Sequence, residues 1–252
     1  FGDFANKAAH AIVNADDDES APLWAGNTSF GFADEADVQA VDFSAQAGGS
    51  QFGVLIDGRR YDVTLAMPGR HNASNALAAI AATRAAGVPV EQAVDALSRF
   101  AGLARRYEIV GTGNGVTVID DFAHNPDKVA ATLAAMATMP GRALIFFQPH
   151  GYGPLRQMGA ELAASFAAGM RAGDRIYICD PAFFGGTVQR DDGAKRLVAA
   201  IIAGGRYAVH MSKRESCGQT IRTEARPGDR ILVLGARDDT LTDFARALVP
   251  AG

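Results

Sequence analysis

Only two cysteines, Cys179 and Cys217, occur in the 252 residues, and neither stands in a metal-type spacing. A disulfide framework is excluded, and a reducing, cytoplasmic setting fits best. No apolar run approaches the ~20 residues of a membrane span and no signal-peptide pattern is read, so neither a signal peptide nor a membrane partner is expected. Basic residues never run longer than a pair and the formal net charge is −4, so no nucleic-acid partner is expected either. There is no internal repeat and no low-complexity tract. No Gly-x-x-x-x-Gly-Lys-Ser/Thr element occurs, so the loop that usually cradles nucleotide phosphates is missing. The sequence opens on Phe1 without a turn or cap signal, which reads as a fragment, or as a chain whose first part is missing.

What is present is a globular composition, 48% hydrophobic and 21% charged. Short apolar runs at Ala11–Asn14, Phe30–Phe32, Val38–Val41, Gln51–Ile56 and Arg60–Leu65 predict a β-rich opening, with Asp57-Gly58 as a hairpin turn. Asn72 or Ser74 can cap an Ala-rich helix starting near Asn75 and ended by Gly87. Val90 to Phe100 predicts a second helix. A composition shift near Gly102 places a domain boundary there, giving domains 1–102 and 103–252. Beyond it, strands predicted at 115–120, 142–148, 174–179, 207–210 and 229–235 are separated by helices at 126–139, 159–169, 193–202, 216–225 and 241–248. That alternation predicts an α/β fold with a mainly parallel, doubly wound sheet, Rossmann-like, whose ligands bind beyond the carboxyl ends of its strands.

Several segments at such ends carry polar chemistry. His71, Asn72 and Asn75 stand at the entry of the Ala-rich helix; they suit either plain capping or, through carboxamide donors and acceptors, the edge of a base. Arg105-Arg106 reads as a solvated pair or as phosphate ligands. Asp120 and Asp121 end a strand and point to opposite faces, so they are not an acid–base pair, and one should face the ligand crevice. His124 follows them. Gln148-Pro149-His150 ends another strand and leads to Arg156. Gly235-Ala236-Arg237-Asp238-Asp239 ends a third and is either a strand-to-helix turn with an Asp cap or a ligand loop. Phe183–Gly186, Cys179-Asp180 and Met158 read as packing or loop elements, and Cys217 as an ordinary thiol.

Gly69-Arg70-His71-Asn72-Ala73-Ser74-Asn75, Arg105-Arg106-Tyr107-Glu108 and Asp120-Asp121-Phe122-Ala123-His124-Asn125-Pro126, in this order, resemble the Mur ligases, ATP-dependent enzymes that join amino acids to a cell-wall nucleotide precursor. The resemblance is closest to the alanine-adding branch. It implies that residues 1–102 are the latter part of a Mur-type central ATP-binding domain with several short strands, and 103–252 the C-terminal amino-acid-binding domain. It implies base contacts from Asn72 and Asn75 beside His71, a terminal-phosphate contact from Arg106, a ribose contact from Asp121, and a place near the amine substrate for His124, His150 and Asp238. ATP and Mg²⁺ are the implied cofactors, with metal ligands expected mostly upstream. A UDP-N-acetylmuramate-type acceptor and an amino acid or short peptide are the implied partners. Asn125 replaces the family's second His and Phe122 its Tyr. The loop after β-strand residue Gln148 departs further: Gly151 and Pro154 stand where that branch has arginines for the amino-acid carboxylate, leaving Arg156 as the loop's only cation. Arg156 turned into the cleft would keep a carboxylate site; Arg156 paired on the outer surface would favour a peptide donor. Two other readings stay open, a folylpolyglutamate synthase-like ligase and a non-catalytic binding module that kept the fold.

Overall fold

The computed structural model describes residues 2–251 except 47, 184, 186 and 188. Phe184 and Gly186 of the expected 183–186 loop therefore lie outside the described residues. The chain divides into two compact units, one ending at Gly102 and one beginning at Leu103.

The first unit opens with a short helix α1 (Gly2–Ala5) and carries a five-stranded sheet: β1 (Ile12–Asn14), β2 (Thr28–Gly31), β3 (Val38–Gln46), β4 (Gly49–Ile56) and β5 (Arg59–Leu65), in sequential order. β1 to β3 are parallel and β3 to β5 antiparallel. Asp57 and Gly58 both take positive φ in the tight turn between β4 and β5, as a two-residue hairpin with strand-matching twist requires. β5 alternates: Val63 and Leu65 are buried while Arg60, Asp62 and Thr64 are exposed. One face of the sheet is covered by α2 (Arg70–Ala85), whose Ala73, Ala76, Leu77, Ile80 and Ala81 join the strand side chains in one core. α3 (Val90–Ser98) packs beside it. α2 begins at Arg70, earlier than expected, and no side chain caps it. Gly69 occupies the cap position at φ 103°, a backbone conformation that only glycine adopts without strain. Asn72 and Ser74 thus lie inside the helix rather than before it.

The second unit holds a six-stranded sheet in the order β10-β9-β8-β11-β7-β6. Its strands are β6 (Glu108–Gly113), β7 (Val116–Asp121), β8 (Ala143–Gln148), β9 (Arg175–Ile178), β10 (Tyr207–His210) and β11 (Arg230–Gly235). Five run parallel and β6 pairs antiparallel to β7 at one edge. β6 is not among the strands predicted from the sequence. The signal for its hairpin is Asn114-Gly115, both at positive φ. Helices α4 (Pro126–Ala137), α5 (Tyr152–Gly169) and α6 (Gly193–Ala203) share one core, against Ile119, Ile145, Phe147 and Ile176. Helices α7 (Arg214–Glu224) and α8 (Thr240–Ala247) share another, against Val118, Leu144, Phe146 and Val233. Alternate residues of each strand feed the two cores, as the two-residue period of a strand requires. The sheet is doubly wound, in agreement with the expected α/β class. α5 starts at Tyr152, seven residues before the expected Gly159. Gly153 and Pro154 look like loop residues, but both fall in the first turn, where a missing N–H leaves no helical bond unmade. Among the described residues, no helix is long and apolar enough to cross a membrane.

Candidate active site at the carboxyl ends of three strands

β11 lies between β7 and β8 and runs parallel to both. The segments leaving these three neighbouring strands therefore emerge at one edge of the sheet. After β7 comes His124, after β8 His150, and after β11 the turn Ala236–Asp239. The two histidine rings meet edge to face with centroids 4.8 Å apart, and Phe122 packs on His124 at 5.4 Å. His124 Nδ1 lies 2.8 Å from the Phe122 carbonyl. A carbonyl only accepts, so Nδ1 carries the proton, and Nε2 of the neutral ring keeps its lone pair. Burial lowers the pKa of His124; the hydrogen bond to Phe122 opposes this, and Lys128, Arg106 and Arg237 add to the lowering. Burial lowers that of His150 more, to about 4, with His124, Arg237 and Lys128 adding to it. Burial and nearby cationic side chains thus both disfavour the protonated form of each ring.

The two aspartates ending β7 do point to opposite faces, but neither faces an open crevice; Asp120 is 0% and Asp121 6% exposed. The Asp121 carboxylate accepts from the backbone N–H groups of Tyr107 (2.7 Å) and Ala123 (2.8 Å) and from the Thr132 hydroxyl (3.1 Å). It ties the start of β6, the turn into His124 and helix α4 together. Asp120 lies 3.4 Å from Arg105 Nε and accepts from Thr242. Burial raises its pKa, against the pull of Arg105. The paired arginines separate as well. Arg105 is buried and donates to the carbonyls of Gly235 (2.8 Å) and Asp238 (3.3 Å), so it holds the turn after β11. Arg106 is exposed, with its guanidinium 5.3 Å from the Phe122 ring. Arg105 is the functional neighbour that pattern reading passes over, since adjacent residues of one type look alike in a sequence.

Asp238 is fixed rather than free: Gln148 and Arg214 donate to one oxygen (2.8 and 3.2 Å) and the Thr240 backbone to the other (3.0 Å). Together these contacts lower its pKa, although burial opposes them. Gly235 allows this close packing, because a Cβ there would sit 2.7 Å from Leu241 and 3.1 Å from the Gln148 carbonyl. Asn125 caps α4, accepting from Lys128 N at 3.0 Å, which gives a structural reason for Asn at that position. Arg156 sits on the second turn of α5, with Nε 3.4 Å from Asp191 and Nη2 donating to the Gln189 carbonyl. The cations acting on the histidine pair are Lys128, Arg106 and Arg237 instead.

The remaining candidates belong to the first unit. His71 and Asn72 lie in the opening turn of α2 and Asn75 in the next. Asn72 is buried and donates to the Pro68 carbonyl at 2.8 Å, while Asn75 is exposed. Among the described residues no group of three or more His, Cys, Asp or Glu side chains could hold a metal ion.

Residues 105–237 match the family model "Mur ligase, glutamate ligase domain", and residues 1–83 match "Mur ligase middle domain". This chain belongs to the Mur ligase family. Among its relatives, the UDP-N-acetylmuramate–L-alanine ligase of Acidithiobacillus ferrooxidans is 37% identical over 214 residues, covering 82% of this chain and 45% of that protein. The chain thus spans about half the length of the curated Mur ligases it matches. The solved UDP-N-acetylmuramate-alanine ligase of Thermotoga maritima has the same fold, with TM-score 0.75 at 23% identity over 97% of this chain and 51% of that one. A murein peptide ligase from Psychrobacter arcticus aligns at 28% identity and TM-score 0.58, covering 90% and 48%.

Proposed function

We propose that this chain forms part of an ADP-forming amide-bond ligase of peptidoglycan precursor synthesis, acting in the cytoplasm. ATP phosphorylates the carboxylate of a UDP-N-acetylmuramate acceptor. The amine of an amino acid of the L-alanine type then attacks the acyl carbon; the C–N bond forms as phosphate leaves. The observation that carries this reading is the pair of histidines in contact beyond the carboxyl ends of β7 and β8, in a chain related to L-alanine ligases. An amine enters as its ammonium and attacks only after losing a proton. The unprotonated Nε2 of His124 is a suitable acceptor for it. Arg106, exposed beside the pair, suits the charge that develops on the transferring phosphate. Asn72 and Asn75, with His71, take the base of ATP in this reading; Asp121, buried and held by Tyr107, Ala123 and Thr132, braces the turn that carries His124.

The second reading is a peptide donor. It is favoured by one observation, the pairing of Arg156 with Asp191 and Gln189, which leaves no cation of that loop for a carboxylate. The chain itself has no phosphate loop, so these 252 residues alone are expected to form no ADP. The test uses the full-length protein with ATP, Mg²⁺ and UDP-N-acetylmuramate, offering L-alanine against a short peptide. ADP formation that requires both the acceptor and L-alanine is expected, and His124→Ala should lower kcat on the order of a hundredfold. A clear preference for the peptide would replace the first reading by the second. ATP turnover that no amine stimulates would refute both and favour a binding module.

A further inference from the structure

If the Arg156 loop supplies no cation, a small amino acid needs another partner for its carboxylate. The turn after β11 presents one. Arg237 has φ 60°, the left-handed region that a long side chain seldom enters. Nothing in the turn's length demands this of an arginine; glycine would meet the same geometry without strain. The conformation is imposed from both sides. Arg105 grips the carbonyls of Gly235 and Asp238 that flank the residue, and the Asp238 carboxylate is held by Gln148, Arg214 and Thr240. The strained residue is thus locked in place, with its side chain exposed. Among the described residues, Arg237 forms no hydrogen bond, ion pair or ring contact.

Its position is equally specific. β11 is flanked by the strands that deliver His124 and His150, so the turn leaves the sheet at the same edge as the segments carrying the two histidines. The Arg237 charge acts on both rings, opposing protonation of each. Lys128 also acts on both, but an ammonium is a point donor, whereas a guanidinium fork meets a carboxylate with two parallel bonds. Arg106 acts on His124 and packs on Phe122.

Resting on the ligase reading above, we infer that Arg237 anchors the α-carboxylate of the amine substrate beside the His124–His150 pair. The donor is then a free, small α-amino acid, whose carboxylate and reacting amine are one carbon apart, rather than a peptide. Arg237 is a specificity-determining residue, and the cation missing from the His150–Arg156 loop is supplied by the neighbouring strand.

The test is steady-state kinetics on the full-length protein, comparing wild type with Arg237→Gly and Arg237→Lys, on L-alanine and on L-alaninamide, which lacks the carboxylate. Glycine relieves the backbone strain, so Arg237→Gly should melt no lower than wild type. The expected result is a KM for L-alanine raised about tenfold or more in Arg237→Gly, partial recovery in Arg237→Lys, an unchanged KM for ATP, and loss of discrimination between L-alanine and L-alaninamide. An active wild type whose KM for L-alanine is unmoved by Arg237→Gly would overturn the role of Arg237 and leave the ligase reading standing. A wild type that prefers L-alaninamide or a peptide would overturn the carboxylate anchor alone. A wild type forming no amine-dependent ADP would overturn both.

Discussion

The two sheets solve the burial problem differently. β5 in the first unit shows one face to the core and one to solvent, with Val63 and Leu65 buried beside exposed Asp62 and Thr64. β8 and β11 in the second unit have every residue buried, split between two cores. A strand covered on one face tolerates change at alternate positions; a strand covered on both has no tolerant position. The same difference governs function. Only the ends of a two-face-covered parallel strand reach solvent, so polar side chains of β7, β8 and β11 collect at one edge, where the histidine pair lies. In the first unit the candidate residues share a single helix, α2.

Three outcomes would break or sharpen this contrast. The largest is expected at Phe146, fully buried in β8 against Phe244 at 4.6 Å. Phe146→Ala should destabilise the protein by about 3–5 kcal/mol in denaturant titration, the usual range for removing a core aromatic. A loss below about 1 kcal/mol would mean that the face under α7 and α8 is loosely packed.

The second outcome concerns pH. The folded pKa of His150 is lowered to about 4 from an ordinary value of 6.5. Between those values the unfolded chain binds a proton that the folded one refuses. Stability is therefore present in full above about pH 6.5 and is lost as pH falls towards 4. The midpoint of thermal unfolding should drop by a few degrees, about 2–4 °C per kcal/mol for a chain of this size, between neutral and mildly acidic buffer. His150→Gln, which cannot titrate, should reduce that drop. An unchanged acid sensitivity in the variant would assign it to other groups.

The smallest effect is expected at Thr64, exposed on β5. Thr64→Ala should change stability by no more than about 0.5 kcal/mol. A loss as large as that at Phe146 would show that the outer face of the first sheet is covered by something else.

Much of the architecture was legible before any coordinates. Strand and helix alternation from Val116 to Ala247 follows from local hydrophobic periodicity, and Asp57-Gly58 announced its hairpin by chemistry that few other residue pairs share. Gly153 and Pro154 misled, since residues that break a helix interior are harmless in its first turn. Asn72 misled in the same way, as a cap residue that the helix start at Arg70 carried inside.

The sequence by itself determined what each segment becomes, because period, turn chemistry and helix-starting residues act over a few neighbours. It determined the family too, because the motifs are contiguous. The tertiary structure alone decided which of two like neighbours does what: Arg105 is buried under the β11 turn while Arg106 is exposed, and Asp120 meets Arg105 while Asp121 holds Tyr107, Ala123 and Thr132. It also sent Arg156 to Asp191 and brought the turn carrying Arg237 to the sheet edge where the strands leading to the two histidines end. The reason is that β11 enters the sheet between β7 and β8, a long-range choice made by burying both faces of the last core strand, and no local pattern along the chain encodes it.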